Sequence, residues 1–121
     1  MKKSMKKIIL NLVVGIIFIS NIGFAQKQQV VEGEILDMVC FMAHKGKGQK
    51  HKSCAQKCIN DGAAVGLLTA DEKVYLVIEN HHKKEAYQKL KKWGAEKVKI
   101  TGPVYIKGGV QSIEAEAVEK L

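Results

Sequence analysis

The sequence predicts a mainly β fold with helices: a small five-stranded barrel carrying a Cys/His-bearing loop–helix insertion between strands 1 and 2. Three observations predict it. Runs of β-branched and aliphatic residues recur between glycine-rich or polar breaks. One amphipathic helix falls between the third and fourth of these runs. A polar segment holding every cysteine interrupts the chain after the first.

The elements follow in order. Val30, Val31, Gly33, Ile35 and Leu36 mark a first strand ending near Asp37. Ala43 to Lys52 is a glycine-containing polar loop with no apolar residue after Ala43, so it cannot pack a core. Ser53 is a candidate cap for a short helix running through Cys58 to Asn60, and Gly62 is placed to end it. Val65–Thr69 and Lys73–Glu79 are two strands joined by Ala70-Asp71-Glu72, the second apolar on both faces and so central in its sheet. Asn80 is a candidate cap for the helix whose Ala86, Leu90 and Trp93 recur at helical spacing, and Gly94 stops it. Val98–Ile106 reads as a long strand bent at Gly102-Pro103, Gly108-Gly109 as a turn, and Val110–Val118 as the returning last strand. Five strands with a helix between the third and fourth is the order of the OB-fold; a generic α+β sandwich is the alternative.

The N-terminus has a different character. Lys2, Lys3, Lys6 and Lys7 precede a mostly apolar run from Ile8 to Ile19, and Gly23 and Ala25 are spaced as a cleavage site. This is the three-part pattern of a secretory signal peptide, expected to span residues 1–25 and to leave one OB-like domain at 26–121 in the periplasm or medium. The run is shorter than the ~20 residues of a spanning helix, so no stable membrane anchor is expected after cleavage. Removing the leader removes four of twenty lysines and none of the twelve acids, which halves the formal charge of +8. The chain has no arginine, the residue that forks onto phosphates and bases, and only one Trp, three Tyr and three Phe for stacking. A nucleic-acid partner is not expected, and the lysines read as a solvated surface.

The chemistry is concentrated in one stretch. Cys40, Cys54 and Cys58 are the only cysteines, and His51 lies among them. If helical geometry reaches back to His51, then His51, Cys54 and Cys58 stand at i, i+3 and i+7 on one face. With Cys40 across the loop they supply three thiolates and an imidazole, the donor set of a four-coordinate zinc site. The spacing is not that of a zinc finger, whose paired cysteines are two residues apart. An odd cysteine count outside the cytoplasm also admits a disulfide from Cys40 to Cys54 or Cys58 with one thiol left free or redox-active, in a domain without metal. Met38 and Met42 flank Cys40 and would share its face on a strand, which makes copper(I) the alternative to zinc. Covalent haem is not expected, because Cys54-x3-Cys58 is followed by Ile59 and not by histidine. Asp37 reads equally as the orienting partner of a ligating imidazole or as a turn residue. His44 is a spare ligand or a solvated loop residue, and His81-His82 are solvated or a second, shallow metal site. Ser53 has no acid–base partner that spacing identifies, and a site closed by four protein donors has no position for water, so no catalytic residue is expected. Beyond the metal ion, a protein partner is not identifiable.

The string Asp37-x2-Cys40-Phe41, His51-x2-Cys54-Ala55-x2-Cys58-x3-Gly62, then Val65-Gly66-Leu67-Leu68 and Val74-Tyr75-Leu76 resembles a group of small exported bacterial proteins of uncharacterised function. The resemblance covers most of the chain after the leader and implies that the Cys/His segment is one unit.

Overall fold

The computed structural model describes residues 26–121; the predicted signal peptide lies outside them. Strand β1 (Gln28–Asp37) is followed by helix α1 (Met38–His44), a 3-10 turn (Gln49–His51) and helix α2 (Lys52–Asn60). Strands β2 (Val65–Leu68) and β3 (Val74–Glu79), helix α3 (Lys84–Leu90) and strands β4 (Lys97–Lys107), β5 (Val110–Ala115) and β6 (Ala117–Lys120) complete the order. No helix among the described residues is long and apolar enough to cross a membrane.

The strands run β1-β2-β3-β5-β4, and pairing of β1 with β4 closes them into a barrel. Only β3 and β5 pair in parallel; the other pairings are antiparallel. This is the OB-like barrel with a helical insertion between β1 and β2. The expected fifth strand is divided in two. Val104 pairs with Ile113 but Thr101 pairs with Ala117, so the β5–β6 side holds one extra residue over that stretch. The break falls at Glu116, whose N–H still donates to the Thr101 carbonyl at 3.0 Å. Such a bulge sharpens the twist of its strand, and β6 continues along β4 after it.

Barrel closure brings two backbones together at Gly102. A Cβ there would stand 1.7 Å from the Glu114 carbonyl oxygen, so the position admits only glycine. Gly108 and Gly109 both take positive φ, 57° and 77°, in the turn that returns β4 as β5.

Inward-facing residues from all five barrel strands form the core: Ile35, Val65, Leu67, Val77, Val98, Ile100, Ile113 and Ala115. Ala86 and Leu90 of α3 cover one part of it, with Tyr87 and Trp93 packed at the margin. Asn80 does not cap α3 directly. Its Oδ1 accepts the N–H groups of His82 and Lys83, each at 2.8 Å, in the turn that leads into the helix.

The insertion is attached unevenly. Helix α2 buries Ala55 and Ile59, one helical turn apart, and Ile59 belongs to the barrel core. Gln56 holds α2 against the end of α3: its Nε2 donates to the Lys91 carbonyl at 2.7 Å and its Oε1 accepts from Gly94 N–H at 3.0 Å. Helix α1, by contrast, has no buried residue.

Candidate metal centre

The cluster is built where β1 ends. Asp37 terminates the strand with extended backbone (φ −82°, ψ 126°) and caps α1, its Oδ1 accepting from Cys40 N–H at 2.7 Å. A residue three positions into a capped helix projects from its first turn, which aims Cys40 at α2. This corrects the sequence expectation that Met38, Cys40 and Met42 share one face of a strand. On a helix, Met38, Cys40 and Met42 no longer share a face. Met38 lies with its sulfur over Gly66, and Met42 is exposed. The thioethers therefore lose the same-face argument that brought copper(I) forward.

On the other side, helical geometry does extend back to His51. The 3-10 turn Gln49–His51 runs into α2 at Lys52, and His51 occupies the cap position with helical φ and ψ. Ser53 thus lies inside the first turn and caps nothing. Cys54 and Cys58 precede Ala55 and Ile59 by one residue each, about 100° around the helix. They lie at the rim of the buried stripe, facing α1.

The structure brings the four predicted residues together. Cys40 Sγ is 3.8 Å from Cys54 Sγ and 3.9 Å from Cys58 Sγ. Ligand atoms of Cys40, His51 and Cys54 all lie within 4.8 Å of one another, as do those of Asp37, Cys40 and Cys58. Cys40 belongs to both groups and is the centre of the cluster. The sulfurs are nearly twice the ~2.05 Å of a disulfide apart. Sulfurs bound at ~2.3 Å to one tetrahedral zinc are separated by about 3.8 Å, and both distances match that edge.

Asp37 is completely buried and uses both carboxylate oxygens. While Oδ1 caps α1, Oδ2 meets His51 Nε2 at 3.0 Å. With Nε2–H donating to the carboxylate, Nδ1 is the imidazole atom left with a free lone pair. Asp37 is thus both the residue at the strand-to-helix turn and a hydrogen-bond partner of His51. His44 is exposed, as are His81 and His82.

The electrostatics at Cys40 are those of a half-buried thiol facing other thiols and a carboxylate, while the Lys57 charge reaches Cys54 and Cys58. Cys40 is pushed up to about 12, first by partial burial, then by hydrogen bonds with Cys54, Asp37 and Cys58, and by the Asp37 charge. Cys58 is also raised, chiefly by burial. Each thiolate formed here would face other thiols and a carboxylate. A bound cation removes that conflict, and it must displace thiol protons to enter.

Polar ties outside the cluster, which spacing could not reveal, hold the loop in place. Gly48 N–H donates to Glu34, Gln49 Nε2 donates to the Ala95 carbonyl at 2.8 Å, and Lys52 pairs with Glu96.

The fold and the cluster define a small β-barrel with a Cys/His group close enough to hold a metal ion. Set against protein-family models, curated proteins and solved structures, the chain matches none of them.

Replacing Asp37 with Asn separates its two roles. Asn caps a helix as well as Asp does, so α1 should persist and the melting temperature should stay close to that of the parent. The carboxylate on the imidazole is lost, and if the cluster holds a metal ion its affinity should fall roughly 10–100-fold. Competition against a chromophoric chelator measures this, and unchanged affinity would show that the carboxylate does not orient the ligand.

Proposed function

We propose that this chain is an exported, non-catalytic metal-binding module. Residues 1–25 direct export and are removed, and the domain from residue 26 works in the periplasm or medium. Cys40, Cys54, Cys58 and His51 Nδ1 ligate one zinc ion, with Asp37 fixing the imidazole from behind. The observation that supports this most directly is the pair of Sγ–Sγ distances, 3.8 and 3.9 Å, converging on Cys40 from two turns of α2. The donor set supports zinc: three thiolates and one imidazole make a closed tetrahedral site with no position for substrate or water. Copper(I) also favours thiolates, but Met42 is exposed to solvent. The lysine-only basic surface and the small aromatic count give nucleic acid no recognition chemistry, so the ion is the ligand.

Elemental analysis of the protein purified without chelator tests the reading, paired with a free-thiol count. About one zinc per chain is expected, lost in Cys54→Ser. Copper in its place would make the ion cargo and not a structural clasp. No metal, no zinc uptake and a single free thiol would refute the assignment. Intact mass of the exported protein, with its N-terminus at or near Gln26, tests the leader.

A further inference from the structure

The three sulfurs are not equivalent. Cys54 is exposed, whereas Cys40 and Cys58 are half-buried. Cys40 stands within 4 Å of both others. Cys54 and Cys58 sit one turn apart on the same helix, where a bridge is strained. One sulfur is therefore open to solvent oxidants and has one well-placed partner on a different element. That element, α1, has no fully buried residue and is held at its first turn, by the Asp37 cap and the Met38 N–H bond to the Ala64 carbonyl, so its Cys40 end can shift slightly.

Resting on the zinc reading above, we infer that the centre is a peroxide-sensitive clasp: oxidation of Cys54 forms a Cys40–Cys54 disulfide and releases the metal. The Cys54 thiolate attacks one oxygen of a hydroperoxide; the O–O bond breaks, a sulfenic acid forms and hydroxide departs. Cys40, its sulfur 3.8 Å away, then attacks the Cys54 sulfur; the S–S bond forms and the S–O bond breaks, releasing a second hydroxide. Two protons convert the hydroxides to water. The two thiolates together lose two electrons and the peroxide gains them. The sulfurs close from 3.8 Å to bonding distance, a shift that α1 accommodates by tilting about its Asp37 cap. Cys58 and His51 remain as two donors, too few to retain zinc. Exposure directs the bridge to Cys54, because the Cys58 sulfur is nearly as close to Cys40, at 3.9 Å, but is shielded.

The zinc-loaded protein is titrated with hydrogen peroxide while released zinc is read with a chromophoric chelator, and the disulfide is mapped by mass spectrometry of unreduced peptides. One zinc released per Cys40–Cys54 disulfide is expected, with Cys58 still alkylatable and with zinc rebinding after dithiol reduction. The Cys58→Ser variant, which keeps both reacting sulfurs, should form the same disulfide even if it holds zinc weakly. A protein that binds zinc but keeps it under peroxide, or bridges Cys40 to Cys58, or goes to sulfinic acid without a disulfide, overturns this inference and leaves the zinc reading standing. A protein that takes up no zinc overturns both.

Discussion

On the metal-binding reading proposed above, chelation is expected to release α1 and the loop through Gly48 while the barrel stays folded. Amide exchange over residues 38–48 should accelerate at least 100-fold, and exchange in β2, β3 and β5 should change little. The asymmetry follows from burial. Helix α1 has no buried side chain; apart from the Asp37 cap, the Met38 N–H bond to the Ala64 carbonyl, the Met38 sulfur over Gly66 and the Glu34–Gly48 contact, it is joined to the rest through the cysteine cluster. A helix of seven residues does not persist in water by its own propensity. Helix α2 keeps Ile59 in the core and Gln56 on the α3 turn, so it should loosen less. Structural zinc in small domains binds with an apparent ~10–16 kcal/mol.

The same centre should be acid-labile. Cys40 and Cys58 hold their protons above the usual thiol range in the metal-free protein, Cys40 up to about 12. On the proposed reading the metal must displace those protons, so affinity should fall with falling pH, by up to about a hundredfold per unit from these two thiols. The metal-free protein has the opposite trend. Raised folded-state values mean that the folded form binds more protons than the unfolded one between about 9 and 12. The resulting stability is present below 9 and is lost as pH rises through that window. Zinc competition at two pH values and alkaline melts of the chelated protein measure both slopes; a pH-independent affinity would mean that thiolates are not the ligands.

Gly102→Ala should abolish folding. Its Cβ would stand 1.7 Å from the Glu114 carbonyl oxygen and 2.9 Å from the carbonyl carbon. Both are backbone atoms of β5, so no rotamer change relieves the overlap. Relief requires β5 to move off β4, which opens the barrel beside the Glu116 bulge and exposes Ile100 and Ile113. A cost above ~4 kcal/mol is expected, against the 5–15 kcal/mol total of an ordinary domain. Gly109→Ala is the control. It has the same residue types and a positive φ of 77°, but open space around its Cβ. It should cost only about 1 kcal/mol, the local penalty of that backbone region. Thermal melts of the two variants compare them directly; equal losses would show that closure at Gly102 tolerates a side chain.

Much of this was legible beforehand, for identifiable reasons. Alternation and turn residues carry local information, so β2, the Thr69–Lys73 hairpin and the Gly108-Gly109 turn fall where side chains and glycines place them. The helical phase of His51, Cys54 and Cys58 is likewise a local matter, because i, i+3 and i+7 share a face whatever surrounds them. The sequence by itself therefore determined the strand order, the insertion point and the four side chains of the cluster.

The tertiary structure decided the rest. Whether residues 38–44 extend β1 or turn into a helix is not settled by Met-Val-Cys-Phe-Met, which suits either. Asp37 settles it by capping α1, and it does so at a buried position where its other oxygen meets a histidine fourteen residues away. That choice moved Met42 into solvent and set Cys40 between Cys54 and Cys58. The break between β5 and β6 likewise depends on register with β4, a partner distant in the chain. Propensity and periodicity act over a few residues, whereas the distances between three sulfurs depend on how two short helices dock on a closed barrel, and only long-range packing sets those.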